Sequence, residues 1–192
     1  MIYDEGKIIS DIRSHLGDSR YTHSLNVAAC AKELAVKYGG DVDICYTAGL
    51  LHDILKEQPR EQALEFFKEN SIALTELELN ARKLWHAIAG AAYIKKNYPE
   101  LPEAVSDAVR YHTTGKAAMT LDEKILFVAD FISADRDYPG VDEMRVRTQK
   151  SLESAMEEGL RFTIWELSEK CVPIHPDTVD AYNYLTKGNN HG

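Results

Sequence analysis

The chain has 192 residues, 44% of them hydrophobic, which suits one globular domain with a sizeable core. Its formal charge of −9 argues against broad binding to a nucleic-acid backbone, but a small phosphorylated ligand needs only a local cluster of cations. No apolar run approaches the roughly 18 residues of a membrane span, and the opening Met1-Ile2-Tyr3-Asp4-Glu5-Gly6 lacks the basic and apolar regions of a secretion signal. The three cysteines, Cys30, Cys45 and Cys171, form no CxxC pair; they are expected to be reduced small core residues in a cytoplasmic protein.

The helical pattern is nearly continuous. Ile8, Ile9, Ile12 and Leu16 mark one face of a first helix. Ser19 is expected to cap a second, with Leu25, Ala28, Ala29, Leu34 and Ala35 on its apolar face and Gly39-Gly40 at its end. Asp41 caps a third through Ile44, Ala48 and Leu51, and Pro59 opens a shorter one. The stretch 77–97 reads as one long helix, rich in small residues at Ala87, Ala89, Gly90, Ala91 and Ala92. Pro102 starts another, and Thr113-Thr114-Gly115 breaks the pattern. Thr120 and Glu123 have the spacing of a capping box before Ile125, Leu126 and Val128. Pro139-Gly140 is a turn, 142–170 reads as helix with one break, and 177–185 as a last helix. No segment alternates with period two, so the fold class is all-α.

Seven histidines punctuate these helices. His52-Asp53 follows the apolar run Ala48-Gly49-Leu50-Leu51, where an ionisable pair is costly unless hydrogen-bonded or bound to a metal. A buried His–Asp hydrogen bond would explain the dipeptide alone. The same anomaly recurs, however. His86 sits in the small-residue stretch, His112 at a helix end, and Asp130 inside Ile125-Leu126-Phe127-Val128-Ala129-Asp130-Phe131-Ile132. An unpaired aspartate there would cost several kcal/mol or take up a proton, and a cation is one remedy. Arg20 and His23 share one helix face. His15 and His191 read as solvated, the latter in a loose polar tail at 189–192; His175 is expected to cap or precede the last helix, with a base-binding role as the alternative.

The order His23, His52-Asp53, Asp130 resembles the metal-binding signature of the HD-domain phosphohydrolase superfamily, and His86 and His112 resemble the second-metal ligands of its two-metal members. Arg20-Tyr21-Thr22-His23-Ser24, Gly49-Leu50-Leu51-His52-Asp53-Ile54-Leu55-Lys56, Tyr111-His112-Thr113-Thr114-Gly115, and 124–133 with Asp135-Arg136 are similar to the bacterial YqeK family of symmetrical dinucleoside tetraphosphate hydrolases. Ile174-His175-Pro176 also fits, and the match spans about residues 8–187.

The resemblance implies a single HD domain over 1–192, a bundle of about eight to ten helices with its core at about 18–135 and helices at about 142–187 packed on it. It implies a homodimer that cleaves diadenosine tetraphosphate into two ADP, by attack of a metal-held hydroxide on phosphorus. An HD-type nucleotidase, or a nucleotide sensor without turnover, are the alternatives. Carried over residue by residue, His23, His52, Asp53 and Asp130 would hold one metal, with Asp53 bridging to a second held by His86 and His112. Imidazole and carboxylate without thiolate suit iron or manganese, with cobalt or nickel as alternatives. Asp53, Lys56 and Arg136 are the candidate catalytic residues. Lys56 and Arg136 are also candidate phosphate contacts, as is Arg20, which could instead orient a ligand carboxylate. Thr113, Thr114 and Gly115 could contact phosphate or simply end a helix. A small nucleotide is the expected partner, with no nucleic acid and no membrane.

Overall fold

A computed structural model describes residues 4–187; residues 1–3 of the opening segment and the tail with His191 lie outside the described residues. The described chain runs α1 (Glu5–His15), α2 (Asp18–Tyr38), α3 (Val42–Leu51), α4 (Arg60–Glu69), α5 (Glu76–Asn80), a 3₁₀ turn (Arg82–Leu84), α6 (Trp85–Asn97), α7 (Glu103–Tyr111), α8 (Leu121–Ile132), α9 (Val141–Lys150), α10 (Leu152–Glu169) and α11 (Pro176–Thr186). No strand occurs among the described residues, as the absence of period-two alternation predicts.

The caps expected at Asp41, Thr120 and Gly39 are present. The Asp41 carboxylate accepts from Asp43 and Ile44 N–H at 3.0 Å, Thr120 and Glu123 form a reciprocal capping box, and Gly39 ends α2 at φ 80°. Two local expectations differ. Helix α2 starts before Ser19: its N-cap is Gly17, whose N–H is held by Glu57 Oε2 at 2.7 Å. The expected long helix over 77–97 breaks at Ala81 (φ −102°, ψ 68°). There Glu78 is committed to a capping box with Thr75, and the buried Trp85 indole donates to the Glu78 carbonyl at 2.7 Å across the break. The one break expected within 142–170 falls at Ser151, extended at φ −164°, whose hydroxyl accepts from Ser154 N–H and starts a separate helix. The break at Ala81 brings the count among the described residues to eleven α-helices, against about eight to ten expected.

The core is built around α2, α3, α7 and α8, with α6 against α7. Helices α2 and α3 meet backbone to backbone: a Cβ added at Gly49 would lie 2.6 Å from Ala28 Cα. Helix α10 lies across α8 and α9, where Gly159 lets Phe127 and Phe131 approach. Cys45 is buried and Cys30 half-buried, with burial pushing the Cys30 thiol up to about 12. Cys171 is exposed in a turn at φ 51°, so the expectation that all three cysteines are core residues fails there. No described helix is long and apolar enough to cross a membrane.

Since Ala28 Cα cannot retreat without moving α2, Gly49→Ala is expected to destabilise the protein by about 1–3 kcal/mol, read from urea unfolding. An unchanged midpoint would mean that α2 and α3 part more easily than their spacing implies.

Candidate metal centre

Five helices bring their termini to one point. His23 comes from the first turns of α2, His52 caps α3, His86 opens α6, His112 caps α7, and Asp130 lies in the last turn of α8. His52 Nδ1 lies 2.7 Å from the Gly49 carbonyl and His112 Nδ1 lies 2.7 Å from the Val109 carbonyl. A carbonyl only accepts, so each Nδ1 carries the proton and each Nε2 presents a lone pair to the centre. The helix end thus supplies the orienting group, since its last carbonyls have no intrahelical donor. His23 is set differently: its Nδ1 donates to Asp135 Oδ2 at 2.7 Å, which turns Nε2 toward Asp130 Oδ1 at 3.0 Å. Asp135 stands in the quoted Asp135-Arg136 pair, but no role was assigned to it from sequence; an acidic residue in a loop carries no signal of the imidazole it meets.

Asp53 occupies the middle, 2% exposed. Its Oδ1 lies 3.2 Å from His86 Nε2 and 3.9 Å from His112 Nε2, and its Oδ2 lies 3.4 Å from His52 Nε2 and 4.0 Å from His23 Nε2. His23, His52 and Asp130 form one triad of ligand atoms within 4.8 Å of one another, and His52, Asp53 and His112 form another. His86 joins the second side, its Nε2 3.1 Å from His112 Nε2. The small residues around His86 do admit another helix: a Cβ at Gly90 would sit 3.4 Å from Val109 of α7.

This donor set fits metal ions. Asp53 Oδ1 and His52 Nε2 are buried without a hydrogen-bond partner, a costly state for two acceptors. The approach of His23 Nε2 to Asp130 Oδ1 likewise sets lone pair against lone pair. A cation on each side of Asp53 would resolve these conflicts, and no thiolate is near. The electrostatics agree. Burial works to raise the Asp53 carboxyl, but His52, Lys56 and His86 outweigh it and hold it well below the usual range. Asp130 is likewise held low against burial, chiefly by His23, His52 and Arg136. Burial pushes His112 down to about 4 and His86 well below the ordinary imidazole value, with Lys56 adding to the latter. Burial works to lower His52, but the adjacent Asp53 carboxylate outweighs it and raises the imidazole.

The remaining candidates surround the ring. Arg20 Nη1 donates to Asp53 Oδ2 at 2.8 Å. Lys56 Nζ lies 3.5 Å from Asp53 Oδ1 and 3.1 Å from His86 Nε2. Arg136 pairs with Asp130 Oδ1 and donates to the Asp130 carbonyl at 2.6 Å. Thr113 Oγ1 lies 3.1 Å from His112 Nε2. Thr114 is buried with its hydroxyl turned to the Gly115 carbonyl, and Gly115 (φ 66°) packs under Ala181 while its N–H closes the turn on the Tyr111 carbonyl. Those last two sit where a helix ending needs them, and Gly115 does not line the cavity. His175 caps α11, accepting from Asp177 N–H at 3.1 Å, as the structural reading expects. Its Nε2 lies 3.6 Å from the buried Glu78 carboxylate, which also pairs with Arg110.

The ring opens into a cavity of about 860 Å³. His112, Thr113, Asp130 and Arg136 form its inner end, and Phe131, Tyr138 and Phe162 line its wall. Sequence reading did not single out these aromatics, because an aromatic on an apolar helix face gives no sign of whether it meets another helix or a void.

An HD-domain model matches residues 20–135, the span that holds every ring residue. The chain belongs to the HD-domain family. Among its HD-domain relatives, the symmetrical bis(5'-nucleosyl)-tetraphosphatase of Bacillus subtilis is 35% identical over 92% of this chain and 95% of its own length. The protein of the same name from Halalkalibacterium halodurans is 34% identical over 95% of this chain and 97% of its own. A crystal structure from Clostridium acetobutylicum, described as a predicted HD superfamily hydrolase involved in NAD metabolism, superposes with a TM-score of 0.92 at 34% identity, covering 98% of this chain and all of that one.

A cation held here stabilises the folded state by mass action. Protein stripped of metal is expected to gain about 2.7 kcal/mol at 100 times the dissociation constant when manganese or ferrous iron is restored. That corresponds to a rise in Tm of about 5–10 °C, which Asp53→Ala should abolish. An equal rise in the variant would remove Asp53 from the ligand set.

Proposed function

We propose that this protein hydrolyses dinucleoside tetraphosphates symmetrically, cleaving diadenosine tetraphosphate into two ADP, with two iron ions at His23, His52, Asp53, His86, His112 and Asp130. The observation that carries this reading is the 33–35% identity, over nine-tenths or more of the chain, to curated proteins named for that activity. The convergence of the other five side chains around Asp53 supports it. The reading also takes the chain as one domain and a homodimer, on the strength of the resemblance, and as cytoplasmic, from its unpaired cysteines.

A metal pair supplies a water of lowered pKa and draws charge from the phosphoryl oxygens. The chain's own groups do the rest. Asp53 turns one oxygen to each side of the ring and is held in that orientation by Arg20. His52 and His112 are locked in one tautomer by backbone carbonyls, so neither needs to reorganise. Lys56 and Arg136 put fixed positive charge on opposite sides, near Asp53 Oδ1 and Asp130 respectively, where they meet the charge that builds on equatorial and departing oxygens. Thr113 can donate its hydroxyl to a phosphoryl oxygen beside His112. The aromatic wall of Phe131, Tyr138 and Phe162 gives a base a face to stack on. One water is consumed, the bond between the bridging oxygen and the attacked central phosphorus breaks, and the leaving half departs as ADP.

Metal-loaded protein incubated with diadenosine tetraphosphate should release ADP alone. ATP with AMP would contradict the symmetrical reading, and phosphate release from nucleoside monophosphates in its place would favour a nucleotidase. Lys56→Ala should lower kcat/KM by about 10- to 100-fold, the scale of a lost charged donor, while bound metal stays stoichiometric. Loss of metal in that variant would mean that Lys56 supports the ring and not the substrate.

A further inference from the structure

Arg82 and Lys83 form the 3₁₀ turn between the break at Ala81 and the start of α6. Both are exposed, both line the cavity, and neither side chain has an ion-pair or hydrogen-bond partner among the described residues. Other cations on the site are committed: Arg20 and Lys56 to Asp53, Arg136 to Asp130, and Lys170 to Glu166. Glu76, on the same cavity wall, pairs with neither Arg82 nor Lys83.

The turn runs straight into α6, so Arg82 and Lys83 precede His86 by only four and three residues. At about 2.0 Å per 3₁₀ residue and 1.5 Å per α residue, their backbones lie roughly 5–8 Å along the axis from that of His86. That offset, added to the reach of their own side chains, suits an anion that begins at the ring and extends outward. A single phosphoryl group at the ring would not span it. The break at Ala81 places this turn, with both cations, on the cavity lining.

We propose that Arg82 and Lys83 form an anion subsite for the phosphate chain beyond the ring, so that the cavity selects a linear polyphosphate over a single phosphoryl group. This rests on the proposed substrate class and adds to it the residues that read chain length.

Isothermal titration of the metal-loaded protein with inorganic tripolyphosphate and with orthophosphate tests the subsite directly. In the double variant Arg82→Ala/Lys83→Ala, tripolyphosphate should bind about tenfold more weakly, the scale of two lost charge-assisted contacts, while orthophosphate binds as before. The control Arg60→Ala/Lys68→Ala removes the same charge from exposed positions outside the cavity and should bind both probes as wild type does. Equal loss in both double variants, or none in the first, overturns the subsite. ADP release by wild type together with unchanged tripolyphosphate affinity in the first variant overturns the subsite alone. Absence of ADP release with weakened tripolyphosphate binding confined to that variant upholds the subsite and removes the substrate reading.

Discussion

A carboxylate buried at the meeting point of five helix ends, with lone pairs of imidazole nitrogens turned toward it, sets the terms for the rest of the molecule. Asp53 cannot keep its charge there without compensating cations, and His52 and His112 cannot turn away because backbone carbonyls hold their far nitrogens. The helices must therefore stop where they do. His52 and His112 sit at C-caps because only a helix end leaves a carbonyl three residues back free to fix the ring. Gly49 then serves two purposes, admitting α2 by lacking a side chain and orienting His52 through its carbonyl.

The surroundings follow from the same constraint. Arg20, Lys56 and Arg136 place positive charge around the two aspartates, and Asp135 balances His23 from outside. Such a polar cluster adds little to stability by itself, since desolvation offsets most of the attraction. The apolar contacts of α2, α3, α7 and α8 hold the ring together, and the ring supplies chemistry. The cavity beyond it is made from less demanding material, aromatic and aliphatic side chains of α8 and α10 with the turns around α5 and α11.

Much of this was legible in the residues. The apolar runs interrupted by His52-Asp53, His86, His112 and Asp130 signalled that something other than packing was being served, and the resemblance ordered those positions into a ring. Caps at Asp41 and Thr120 were readable because a short polar side chain meets backbone N–H groups two or three residues away. What escaped depends on contacts distant in sequence. The break at Ala81 is set by Trp85 reaching back to Glu78, and the start of α2 is fixed by Glu57 holding Gly17. Asp135 gains its meaning only when α8 brings it to His23. Cys171 looked like a core residue by type, but its turn carries it to the surface.

The most direct measurement of the central claim is a crystal structure of metal-replete protein with anomalous data at the metal edge. The account predicts two peaks about 3.5–4 Å apart, one on each side of Asp53 and bridged by its carboxylate. No peak within the ring, or a single peak that leaves Asp53 uncoordinated, would contradict it.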